Sequence, residues 1–151
     1  MVEAFDARPV AKEQVQSLGA TFVEVEAKAE DMQDAYGYAK QATPEFLAKQ
    51  LKLIHERVKL ADFVITTAQI PGKPAPRLIT KEMVADMKAG SVILDLAAES
   101  GGNCELSKAD QVVHTNDVTI LAPTNLPATM PLDASRMYSR NMLNLINELV
   151  T

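Results

Sequence analysis

Ala61–Pro76 reads ADFVITTAQIPGKPAP. Phe63–Ala68 has the β-rich apolar run Phe63-Val64-Ile65 and predicts a buried strand. Thr66, Thr67 and Gln69 make a polar end to it, and Pro71, Pro74 and Pro76 come next, within six residues. Proline supplies no N–H and fixes its own φ, so the chain must leave the sheet there in an extended shape. In an open α/β sheet a ligand lies at the carboxyl ends of the strands. The rim at Thr66–Gln69 is therefore the first place to look for function.

Working outward, the segments alternate. Val2–Phe5 predicts a short strand that runs into Asp6, and Ala11–Leu18 a helix closed by Gly19 in a left-handed cap. Thr21–Val25 alternates as a strand. Glu26–Thr43 is charged, lacks an apolar period and contains Tyr36-Gly37-Tyr38, the pattern of a long mobile loop. Pro44 suits a first helical turn, and Leu47, Leu51, Ile54 and Val58 form an apolar stripe on a helix ending near Leu60. Beyond the central strand, Thr80 is placed to cap a helix over Lys81–Lys88. Ser91–Leu96 reads as a strand buried on both faces, followed by a loop over Ala97–Cys104. Val112–His114 and Val118–Ala122 pair around Asn116-Asp117; Thr124–Ala134 reads as a loop and Ser135–Leu149 as a final helix. This rhythm predicts an α/β, Rossmann-like, doubly wound and mostly parallel sheet in a single domain.

Composition narrows the classes. The 151 residues are 47% hydrophobic and carry a net charge of −5, enough for an aliphatic core and without the basic stripe of a nucleic-acid binder. Cys104 is the one cysteine, which excludes a disulfide framework and fits a reducing compartment. No apolar run approaches the ~20 residues of a membrane span, so no direct membrane insertion is expected. The N-terminus has no basic region followed by an apolar block, so no signal peptide is expected. His55 and His114 have no second ligand at metal spacing. Cys104 has no CxxC partner, and no GxSxG occurs.

A dinucleotide fold opens with a strand, a glycine-rich turn and a helix, and an acid at the end of the next strand holds the ribose. None of the six glycines forms GxGxxG, yet Asp6 already stands at the end of the first strand. The sequence therefore reads as starting one strand late, lacking the first strand, the glycine turn and the first helix. Val2–Phe5 and Phe63–Ala68 would then flank an empty lane. Those two edges are expected to close on each other or to be filled by another chain.

VEAFDARPVAKEQVQSLGA (2–20), GYAK (37–40), TTAQIPGKPAP (66–76), LITKEMVADMKAGSVILDLAAESGGNC (78–104) and TNLPATMPLDAS (124–135) together resemble one family. It is the NAD(H)-binding alpha subunit of proton-translocating NAD(P) transhydrogenase. The IPGKPAP and LAAESGGNC segments are specific to it. Alanine dehydrogenase is similar in the same places but usually differs around IPGKPAP and GGNC, and ranks second. The resemblance implies an oxidoreductase and translocase component. Hydride would pass from NADH held here to NADP+ on a separate NADP(H)-binding domain, with proton movement through a membrane subunit. It also implies a homodimer, a cytoplasmic place against the inner membrane through partner subunits, and a fragment catalytically incomplete alone. A third reading is a folded, non-catalytic piece.

By this resemblance Asp6 would accept from the ribose hydroxyls and disfavour a 2′-phosphate, with Ala7 and Arg8 beside it; Arg8 would reach adenine or pyrophosphate, or remain a surface arginine. Gly37 and Tyr38 match the family's loop that folds over nucleotide, though Ala42 stands where the family often has Met. Gln50 matches a position near the nucleotide, against the plainer reading of a solvated helix residue. Ala68 and Gln69 would meet the nicotinamide side, Gln69 replacing a frequent Leu. Glu99, Gly101 and Gly102 either border that crevice or make a tight turn. The loop at 125–135 either touches the partner domain or is plain surface. Direct hydride transfer needs no acid–base pair of the protein's own, so no catalytic side chain and no metal are assigned.

Overall fold

The computed structural model describes residues 1–8, 10–25 and 44–150. The chain divides into two compact units, Met1–Val58 and Lys59–Thr151. The segment expected as a loop over 26–43, with Gly37 and Tyr38, lies outside the described residues.

In the first unit, β1 (Glu3–Ala4) and β2 (Thr21–Phe22) pair in parallel, Glu3 opposite Thr21 and Ala4 opposite Phe22. The crossover between them is α1 (Ala11–Ser17), followed by Gly19 at φ +81. There the Gly19 N–H donates to the Gln16 carbonyl at 2.9 Å, the left-handed close that the sequence predicts. Helix α2 (Pro44–Val58) begins at its proline, but its buried face differs from the expected stripe. Gln50, Ile54 and Val58 are buried, four residues apart, while Leu47 is exposed. The spacing of leucines alone puts that face about one position away from its true centre.

The second unit holds a four-stranded sheet in the order β3 (Phe63–Thr66), β4 (Val92–Asp95), β6 (Val118–Leu121), β5 (Val112–Thr115). β3, β4 and β6 run parallel, and β5 lies antiparallel to β6. Asn116 and Asp117, at φ +48 and +58, make the two-residue turn of that hairpin. Between β3 and β4 comes α3 (Lys81–Ala85), capped at Thr80, whose hydroxyl accepts the Met83 N–H at 3.3 Å. It ends earlier than expected, at Asp86.

The register puts Thr66, Ile93, Asp95, Val118 and Ile120 on one face of the sheet, and all are buried with Ile79, Met83, Val84 and Met87. The opposite face is apolar but bare: Phe63 and Ile65 are 54% and 55% exposed, and Val92 and Leu94 are half-buried. This corrects the expectation of β3 as a buried strand and of β4 as buried on both faces. A run of apolar residues cannot say how many faces find cover; only the packing does. β1 and β2 form one sheet, and β3, β4, β6 and β5 form another.

The segment expected as a loop over 124–134 contains α4 (Leu126–Thr129), and the last helix, α5 (Pro131–Val150), starts at Pro131 rather than Ser135. Proline at the first helical position needs no N–H partner and already has helical φ, so Pro131 opens the helix instead of closing the loop. No residue of α5 is buried. No helix among the described residues is long and apolar enough to cross a membrane.

Candidate functional site

Asp6 lies two residues beyond β1, at its carboxyl end. Arg8 closes on it: the backbone N–H and Nε of Arg8 donate to Oδ1 at 2.8 and 3.0 Å, and a terminal guanidinium N–H donates to Oδ2 at 2.8 Å. The Arg8 hydrogen bond therefore holds the Asp6 carboxyl below the usual carboxylate range. Asp6 is thus an ionised, acceptor-only group, and Oδ2 keeps lone-pair capacity for a further donor. Ala7 is the exposed link between the two. Arg8 points to solvent with its side chain 72% exposed and is paired to Asp6. In the same unit Gln50 is on the buried face of α2, which corrects its plainer reading as solvated surface.

In the second unit, the carboxyl ends of β3 and β4 are joined by side chains. Asp95 is completely buried at the end of β4. Its Oδ1 accepts from the Thr66 hydroxyl and the Ala97 N–H, each at 3.1 Å. Its Oδ2 accepts from the Cys104 N–H at 3.0 Å and the Ser107 hydroxyl at 2.6 Å. Burial pushes the Asp95 carboxyl up, but these donors outweigh it, the Cys104 N–H foremost, and the net shift is downward. With all four acceptor positions filled, Asp95 has no lone pair left for acid–base work. It pins the loop after β4 to the sheet.

That loop carries Asn103, also completely buried. Its carboxamide Nδ2 donates to the carbonyls of Ala68 and Pro76 at 2.9 and 2.8 Å, and its Oδ1 accepts the Ala68 N–H at 3.0 Å. The Asn103 carbonyl accepts from the N–H groups of Leu78 and Ile79 at 2.8 and 3.1 Å. Ala68, expected to offer its backbone, has its N–H committed to Asn103; what it keeps is the second lone pair of its carbonyl. Gln69 is exposed and spans to β4, its carboxamide donating to the Leu96 carbonyl at 3.2 Å.

Gln69, Ile70, Pro71, Gly72, Lys73, Pro74 and Ser100 line an open hollow of about 610 Å³ beside this rim. The proline-rich segment thus shapes one wall of a cleft. Glu99 is exposed within a single 3₁₀ turn, Ala98–Ser100. Gly101 and Gly102 complete that turn with φ +98 and +80. The tight-turn reading of these residues therefore holds, and Ser100 borders the hollow. A second hollow lies at the hairpin turn around His114–Thr119, at the amino ends of β4 and β6, away from the strand-end rim.

Cys104 is buried, and burial raises its thiol, in keeping with an inert side chain. Among the described residues no three His, Cys, Asp or Glu side chains gather as metal ligands. Sequence reading misses Asp95 and Asn103. A signal for Asp95 exists, since an acid ending a buried run in Val92-Ile93-Leu94-Asp95 parallels the logic used for Asp6. Asn103 lies in the GGNC segment that marks the family, but that segment does not say what its side chain bonds to.

Parallel strands, a hydrogen-bonded loop system at their carboxyl ends and an ionised acid beyond β1 define an open α/β domain of the Rossmann-like type. The chain belongs to the alanine dehydrogenase/PNT C-terminal domain family, whose model matches residues 1–151. It is 52% identical over 147 residues to NAD(P) transhydrogenase subunit alpha of Haemophilus influenzae, covering 97% of this chain and 28% of that protein. Alanine dehydrogenase 1 of Staphylococcus aureus is 34% identical over 113 residues, covering 72% of this chain and 28% of that protein. The crystal structure of transhydrogenase from Sinorhizobium meliloti matches with a TM-score of 0.77 at 42% identity, covering 95% of this chain and 37% of that one. The chain thus spans well under half the length of each. The preference for transhydrogenase over alanine dehydrogenase agrees with these identities.

Proposed function

We propose that the chain is the NAD(H)-binding part of an NAD(P) transhydrogenase alpha subunit, one partial Rossmann-like domain including the loop over 26–43. The observation that carries the reading is Asp6, an ionised carboxylate at the carboxyl end of the first strand, in a chain 52% identical to such a subunit. An acceptor-only group suits the two hydroxyls of the adenosine ribose and repels a 2′-phosphate, so NADH is selected over NADPH. Arg8 shifts from its bond with Asp6 toward the pyrophosphate or adenine as the ribose arrives. Gln50, Gly37 and Tyr38 contribute to the same nucleotide.

In Lys59–Thr151, Ala68 and Gln69 receive the nicotinamide end. The Ala68 carbonyl and the Gln69 carboxamide are acceptor and donor for a carboxamide group. The bound cofactor supplies the hydride; the chain binds and orients it. NADP(H) is held by a partner domain, and a membrane subunit completes the coupling to proton translocation. The domain itself works as a homodimer in the cytoplasm, peripheral to the inner membrane through its partners. Titrating the chain with NADH and NADPH while following nicotinamide fluorescence tests the reading. NADH is expected to bind and NADPH to bind far more weakly; absence of NADH binding overturns it.

A further inference from the structure

We propose that Asn103 is a positioning residue for the nicotinamide end of the cofactor, acting through Ala68. This role rests on the NAD(H) reading and belongs to a residue that the reading itself leaves out.

The geometry is specific. One carboxamide faces the polar groups of one residue, giving an N–H to the Ala68 carbonyl and taking the Ala68 N–H in return. Ala68 lies just past β3, where the ladder to β4 has ended at the Thr66 and Asp95 pair. Sheet pairing therefore no longer fixes its backbone, and Asn103 takes over that task. The third bond, to Pro76, ties the far arm of the proline loop to the same side chain. A single buried group thus fixes the end of the strand and the return of the loop that walls the hollow.

Asn103 is itself held from both sides. Its carbonyl is bonded to Leu78 and Ile79, and the next N–H, that of Cys104, is bonded to Asp95. It does not reach the ligand, being completely buried. Its effect is to hold the direction of the Ala68 carbonyl, the acceptor left for the nicotinamide carboxamide. Aspartate cannot replace it, since a carboxylate would accept the Ala68 N–H but repel the carbonyls of Ala68 and Pro76. Serine or alanine would release all three groups.

The test compares NADH with ADP-ribose, which lacks the nicotinamide, as ligands of the chain and its variants. Asn103→Ala and Asn103→Asp are expected to weaken NADH about three- to tenfold, the scale of one lost neutral hydrogen bond, and to leave ADP-ribose within about twofold. General loss of folding would weaken both ligands together, so the ratio of the two dissociation constants separates positioning from stability. Asn103→Ser, which brings no buried charge, provides the ratio should either of these fail to fold. An unchanged ratio in the folded variants overturns the proposal while leaving the NAD(H) reading standing. Failure of the unaltered chain to bind either ligand overturns both.

Discussion

Gly102 turns directly over Asp95: a Cβ built on Gly102 would come within 2.7 Å of the Asp95 Oδ2 and 3.1 Å of the Ser107 Cβ. The backbone there is also left-handed, at φ +80. Glycine is needed for two separate reasons, since a side chain would meet both the strained backbone and the most heavily bonded carboxylate of the unit. The neighbour, Gly101, shares only the first reason, with φ +98 and open space where its Cβ would be.

Alanine at these two positions should therefore behave differently. Gly101→Ala is expected to destabilise the chain by about 1 kcal/mol, the cost of a left-handed alanine. Gly102→Ala adds the displacement of Asp95 or Ser107, about 2 kcal/mol more. Urea midpoints of the two variants check this ordering; equal midpoints would rule out the close approach as a constraint.

Asp95 gives the chain a defined response to acid. Its folded-state carboxyl is depressed, so the stability it contributes is present above the unfolded value, about 3.9, and is lost as pH falls through the folded one. Urea midpoints should be flat from neutral pH to about pH 5 and fall below about pH 4. Asp95→Asn is expected to lose about 3 kcal/mol at neutral pH, because an amide NH2 faces donors, and to show a shallower acid fall. The fall should not vanish, since Asp6, Asp62, Glu82 and Asp110 are also depressed by the hydrogen bonds they accept. An acid profile identical in Asp95→Asn and the unaltered chain would contradict this.

The exposure of α5 predicts tolerance. Leu145, Ile146 and Leu149 are more than half exposed, so replacing Leu149 with Ser should change stability by less than about 0.5 kcal/mol. A loss of about 2 kcal/mol in the isolated chain would mean that this helix is packed.

Much of this architecture is legible in the sequence because its signals are local. Thr80 caps a helix through its own hydroxyl, Gly19 closes one through its φ, and Asn116-Asp117 turns a hairpin through two left-handed residues. Each needs only neighbours within a few positions. Pro131 misleads because one residue type both ends loops and begins helices, and only the helix-forming residues after it decide between the two. Phe63 and Ile65 read as buried because apolar character records what a strand can bury, not what covers it. The candidate site divides the same way. Asp6 is read from its place after a strand, whereas Asn103 matters through Ala68, thirty-five positions away in sequence. Such a link is made by folding: the GGNC motif marks the family, but nothing in it says that Asn103 bonds to Ala68.

In the proposed function, nucleotide selection turns on the carboxylate beyond β1. The most direct measurement is the NADH dissociation constant of Asp6→Ala against that of the unaltered chain, with NADPH measured alongside. Loss of one charge-assisted acceptor should weaken NADH by about tenfold or more. Arg8, no longer paired, should at the same time improve NADPH, narrowing the discrimination between the two. An NADH constant left unchanged by Asp6→Ala would contradict the account.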